Sequence, residues 1–114
     1  MKPSFADTMI GAKDYKSLLK FYQELGDFEV TESNSLYTLL KDRGTGQILC
    51  ICDGSPMETT GPGWQTKDFE ASLQHLDSLG AKLIHQGGNA DKSFQYACIA
   101  DPEGNPLLLW AGQH

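Results

Sequence analysis

The sequence predicts an α+β fold in which two βαβββ modules form curved mixed sheets around a cleft. Three observations predict it. The segment KDYKSLLKFYQELG, starting at Lys13, returns in altered form 54 positions later as KDFEASLQHLDSLG, so one supersecondary unit is used twice. Each copy carries an apolar stripe at helical spacing. Each is followed by three short strand-like runs separated by turn-forming residues. The 114 residues suit a single domain, 1–114, of two modules, 5–53 and 64–112, joined by a linker over 54–63.

Residues 5–12 read as the first strand and 13–26 as the first helix. Asp14 and Asp68 are placed to accept hydrogen bonds from the first turn of each helix, and Gly26 and Gly80 to close the last turn in the left-handed conformation. Tyr15, Leu18, Leu19, Tyr22 and Leu25 make one stripe, and Phe69, Leu73, Leu76 and Leu79 the other, so each helix lies one-sidedly on a sheet. Strands follow at 28–31, 36–40 and 48–52 in the first module. The second module offers 64–66 before its helix, then 83–85, 94–100 and 106–110. Asp42 and Asp101 match at an offset of 59, which places about five extra residues in the loop QGGNADKS. The segment DGSPMETTGPG, rich in turn residues and without periodicity, is the linker. A sheet whose convex face is covered by a helix leaves alternate residues of its concave face free to line a pocket.

Composition narrows the partners. Fifteen acidic and nine basic residues give a formal charge of −6, so phosphate backbones and anionic membrane surfaces are repelled and a neutral or cationic small molecule is the easier partner. Cys50, Cys52 and Cys98 all sit in apolar strand-like runs, which speaks against a disulfide framework and for a reducing, cytoplasmic setting. The opening MKPSFADTMIG lacks a basic region followed by an apolar one, and no run of 18 apolar residues occurs, so neither export nor a membrane span is expected. No phosphate-cradling or nucleophile-elbow motif is present.

The doubled unit, with FYQELGDFEV at residues 21–30 and DPEGNPLLLW at 101–110, resembles the vicinal oxygen chelate superfamily, the glyoxalase and bleomycin-resistance-like proteins. The resemblance covers nearly the whole chain. It implies a half-open cleft, helices outside, and a homodimer. Its enzymes hold a divalent cation on the concave face with His or carboxylate donors. Carried over residue by residue, those positions fall on Asp7, Gly61, Leu108 and, through the 59-residue offset, Leu49. Asp7 alone bears a ligating group, whereas such sites use three or four protein donors. The expectation is therefore no metal, no cofactor and no catalytic residue. What the resemblance then implies is a metal-free protein that binds an apolar or cationic aromatic ligand in a cleft of Asp7, Met9, Leu49, Ile51, Leu108 and Trp110. The competing expectation is a metal-dependent lyase, isomerase or dioxygenase with donors this alignment misses. The C-x-C pair Cys50 and Cys52 puts two thiols on one strand face, but the phase set by Leu49 turns them toward the helix, as small buried hydrophobes. His75 is read as solvated, His85 as ending a strand, and His114 as terminal, so no histidine pair has ligand spacing.

Overall fold

The computed structural model describes residues 2–112, with the backbone alone at positions 57 and 58. Its elements run β1 (Ser4–Ala12), α1 (Tyr15–Leu25), β2 (Phe28–Ser33), β3 (Tyr37–Asp42), β4 (Ile48–Asp53), α2 (Pro56–Thr59), β5 (Gly61–Gln65), α3 (Phe69–Ser78), β6 (Lys82–Gly88), β7 (Phe94–Ala100) and β8 (Pro106–Gly112). This is the α+β class with two βαβββ modules. Asp7–Thr60 forms one compact unit, and residues up to Ala6 group with those from Gly61 onward in the other. The linker 54–63 corrects to something more ordered. It holds the short helix α2 and the first residues of β5, because Pro56 suits the first turn of a helix and the glycines of GPG serve a strand here.

Within Asp7–Thr60 the strand order is β2-β3-β4-β1. β1 runs parallel to β4, and β3 is antiparallel to both β2 and β4. Helix α1 starts where Asp14 accepts from the Ser17 amide at 3.2 Å and its hydroxyl at 2.8 Å. It lies on β3 and β4, and the Tyr15 hydroxyl meets Thr38 Oγ1 at 2.5 Å. Gly26 departs from the expected left-handed cap: its φ is −135°. A Cβ there would stand 2.9 Å from the Phe28 ring, so the glycine makes room for that ring instead.

In the other unit the order is β5-β8-β7-β6, with β5 parallel to β8 and the remaining pairs antiparallel. β5 begins earlier than the sequence suggested. At Gly61, with φ +151°, a Cβ would come within 2.6 Å of the Pro106 carbonyl oxygen, a backbone approach open only to glycine. Asp68 caps α3 through the Ala71 amide, while Thr66 Oγ1 accepts from the Asp68 amide and meets Ser72 Oγ at 2.6 Å. Phe69, Ala81, Ala97, Ile99 and Leu109 form the buried core beneath α3. Both modules place one bulge in the strand after the helix, between Val30 and Glu32 and between Leu83 and His85. No helix among the described residues is long and apolar enough to cross a membrane.

Candidate functional site

In each unit the helix marks one sheet face, and the register assigns every strand residue to that face or to its opposite. In Asp7–Thr60, Thr38 points at α1 and pairs with Ile51, Leu40 pairs with Leu49, and Ile51 pairs with Ile10. Leu49 and Ile51 therefore belong to the helix-covered core, with Ile51 fully buried. Their assignment to the cleft is corrected. The helix-free face carries Asp7, Met9, Tyr37 and Leu39, and with them Cys50 and Cys52, which pair with Met9 and Gly11.

The cause is one residue of loop. Lys41 pairs with Ile48, and Ala100 with Pro106, so the first hairpin holds one residue more than the second, and the repeat offset beyond it drops from 59 to 58. A slip of one inverts every side chain on a strand. The position equivalent to Leu108 is thus Cys50.

Asp7 is 7% exposed, and its Oδ1 is buried without a hydrogen-bond partner. Burial pushes its carboxyl up to about 6, because desolvation disfavours the charged form. Beside it the two thiols interact. The hydrogen bond with Cys52 and burial push the Cys50 thiol up, and the same bond holds Cys52 down. Cys52 Sγ also lies 3.6 Å from the Ile10 carbonyl oxygen and 3.7 Å from that of Thr59. On the same face the Tyr37 hydroxyl donates to Glu32 Oε2 at 2.7 Å, and burial, then Glu32, pushes this phenol up to about 12.

In the other unit Leu107 and Leu109 join the core under α3, so Leu108 and Trp110 lie on the helix-free face. Leu108 pairs with Cys98 and Trp110 with Tyr96. His85 Nε2 lies 3.3 Å from the Tyr96 hydroxyl, and Phe94 stacks on Tyr96 with centroids 6.0 Å apart. Gly87 sits opposite Tyr96, where a Cβ would meet the phenol oxygen at 2.7 Å. His85 and Tyr96 are the repeat equivalents of Glu32 and Tyr37, and Glu32 and His85 each follow the bulge of their strand, which re-aims the side chain. Sequence reasoning missed both pairs, because a bulge leaves no mark in the apolar pattern. His75 lies half-buried on α3, and His114 is outside the described residues.

The donor set does not fit a divalent metal. Of the four positions the resemblance implicates, Asp7 and Cys50 carry donors, while Gly61 and Leu108 carry none. Among the described residues no three His, Cys, Asp or Glu side chains gather to hold an ion. Two surface depressions lie elsewhere. One of about 570 Å³ adjoins the start of α1, beside Lys13, Ser17 and Phe21. The other, of about 300 Å³, lies between α3 and β6, beside Leu73, Leu76 and Leu83.

Neither family models nor curated proteins gave a match to the chain. Solved structures did. A Streptomyces coelicolor methylmalonyl-CoA epimerase variant, in complex with 2-nitronate-propionyl-CoA, is 15% identical, with 99% of this chain and 100% of that one covered and a TM-score of 0.62. A Legionella pneumophila protein described as an NAD-dependent benzaldehyde dehydrogenase is 14% identical over 92% of this chain and 96% of its own, at 0.70. A glyoxalase I variant from Zea mays is 17% identical over 97% of this chain, which spans 45% of that one, at 0.61. At such identities the likeness is one of fold. The chain has the paired-module fold of the vicinal oxygen chelate superfamily.

Proposed function

We propose that this chain is a small-molecule-binding protein that holds an apolar or cationic aromatic ligand without a divalent metal. The carrying observation is the donor count: two ligating side chains, Asp7 and Cys50, at four implicated positions, against the three or more that a catalytic cation takes from its protein. Each helix-free face, taken by itself, carries groups of the kind such a ligand uses. One offers Asp7 and Met9, the other Leu108 and Trp110 beside the Tyr96 ring. Apolar surface gives the driving force, and a buried carboxylate without a donor favours a cationic group.

A thermal-shift screen of metal-stripped protein with cationic aromatic compounds and their neutral analogues tests the reading. At least one compound raises Tm, and Trp110→Ala or Asp7→Asn weakens that shift. A screen in which nothing binds, while nickel, zinc, manganese or iron restores turnover, overturns it. A second reading, a metal-dependent lyase, isomerase or dioxygenase, draws support from the enzyme names borne by structural neighbours. Elemental analysis after metal loading separates the two: about one tightly held ion per site belongs to the second reading alone.

A further inference from the structure

Strand β4 carries two thiols on the face that α1 leaves bare. Cys50 and Cys52 are two residues apart on one strand, so they project the same way. Both are almost fully buried, at 4% and 7% exposure. Met9 is the register partner of Cys50 in the parallel neighbour β1, and directly paired residues share a face. Three sulfurs, two thiols and a thioether, are thereby collected on adjacent strands. Among the described residues no three His, Cys, Asp or Glu side chains gather to hold an ion, so the third donor of this face is the Met9 thioether.

A second, independent feature points to a ligand here. Asp7 lies two residues before Met9 on β1, hence on the same face, and its Oδ1 is buried with no hydrogen-bond donor. An unpaired buried carboxylate gives this face a negative potential that attracts a cation. Thr59 stands over Gly11, the partner of Cys52, where a Cβ would meet its hydroxyl.

We propose that Met9, Cys50 and Cys52 form a sulfur-lined site for a soft monovalent cation of the copper(I) type. Thiolate and thioether donors suit copper(I), which accepts two or three ligands, whereas structural zinc takes four and the hard divalent ions prefer oxygen. No electron moves on binding: the ion enters as copper(I), and each thiol that ligates releases its proton to solvent. The S–H contacts of Cys52 with the Ile10 and Thr59 carbonyls are exchanged for the metal bond, and as weak hydrogen bonds they oppose it little. This inference does not rest on the proposed small-molecule ligand, because the three sulfurs carry it whether or not the helix-free faces hold an apolar or cationic aromatic molecule.

The test is anaerobic titration of the reduced chain with copper(I) against a chromogenic copper(I) chelator. Silver(I), which has the same softness without redox chemistry, is followed in parallel by native mass spectrometry. A single equivalent binds to the wild-type chain and to Cys98→Ser, binding is lost in Cys50→Ser and in Cys52→Ser, and Met9→Leu weakens it by about tenfold. X-ray absorption at the copper edge of the wild-type protein, which requires no variant to fold, shows a shell of sulfur alone. Absence of binding, an unchanged equivalent in the Cys50→Ser/Cys52→Ser double variant, or nitrogen and oxygen neighbours at the copper overturns the proposal. Manganese loading, which thiolates hold poorly, speaks to the small-molecule reading alone, and zinc or nickel uptake is assigned to one site or the other by whether the Cys50→Ser/Cys52→Ser double variant abolishes it.

Discussion

At the scale of single residues, Asp7 concentrates the cost of the fold. Its Oδ1 is buried without a donor, and burial raises its pKa from 3.8 to about 6. Since the folded state holds the proton more tightly than the unfolded one, this group's contribution is fully present below about pH 4 and is lost as pH rises through about 6. Above that, the ionised carboxylate destabilises the fold by about 3 kcal/mol, two pKa units at roughly 1.4 kcal/mol each. Asp7→Asn, which keeps the shape and removes the charge, therefore stabilises the chain near pH 8 by up to this amount and has little effect near pH 4. Urea unfolding at both pH values measures it. A variant less stable than wild type at the higher pH contradicts the account. That Asp7 is a carboxylate set in an apolar strand was legible in the sequence. Its missing donor was not, because hydrogen-bond satisfaction depends on what tertiary packing brings near.

At the scale of elements, both helices were legible because each is amphipathic and capped by Asp14 or Asp68 as its sequence suggests. Removing a cap leaves first-turn amides unsatisfied, so Asp68→Ala costs about 1 kcal/mol of stability by chemical denaturation. Strand β4 was not legible in the same way. ILCICD is apolar at five successive positions, so alternation cannot say which face is which, and a hairpin one residue longer than its counterpart inverted the inferred phase. The corrected register makes a measurable claim. Ile51, fully buried and paired with Thr38 beneath α1, loses about 3 kcal/mol on replacement by alanine, within the span usual for a buried aliphatic. Cys50→Ala deletes only a sulfur from the opposite face, and costs less. Equal losses at the two positions would return the strand to its inverted phase.

At the scale of the whole molecule, the internal repeat carried most of the fold into view, since KD…LG helices 54 residues apart fix the strands around them. It could not carry the site. The two copies differ at the site itself: Glu32 stands against His85, and Cys50 against Leu108. Charge is a property of the chain that survives such divergence. A net −6 produces a long-range field that draws cationic ligands in, while a contact with buried Asp7 acts at short range and is screened far less. Salt separates these contributions. Between about 0.05 and 0.5 M salt the screening length falls severalfold, so a cationic aromatic ligand binds more weakly as salt rises and its neutral analogue does not. Asp7→Asn lowers affinity for the cation at every salt concentration yet preserves the slope, because the field comes from many surface carboxylates and the contact from one. Calorimetric titration of both ligands against both proteins gives the four curves. Equal salt dependence for the cationic and neutral compounds would show that the acidic balance of the chain plays no part in recognition.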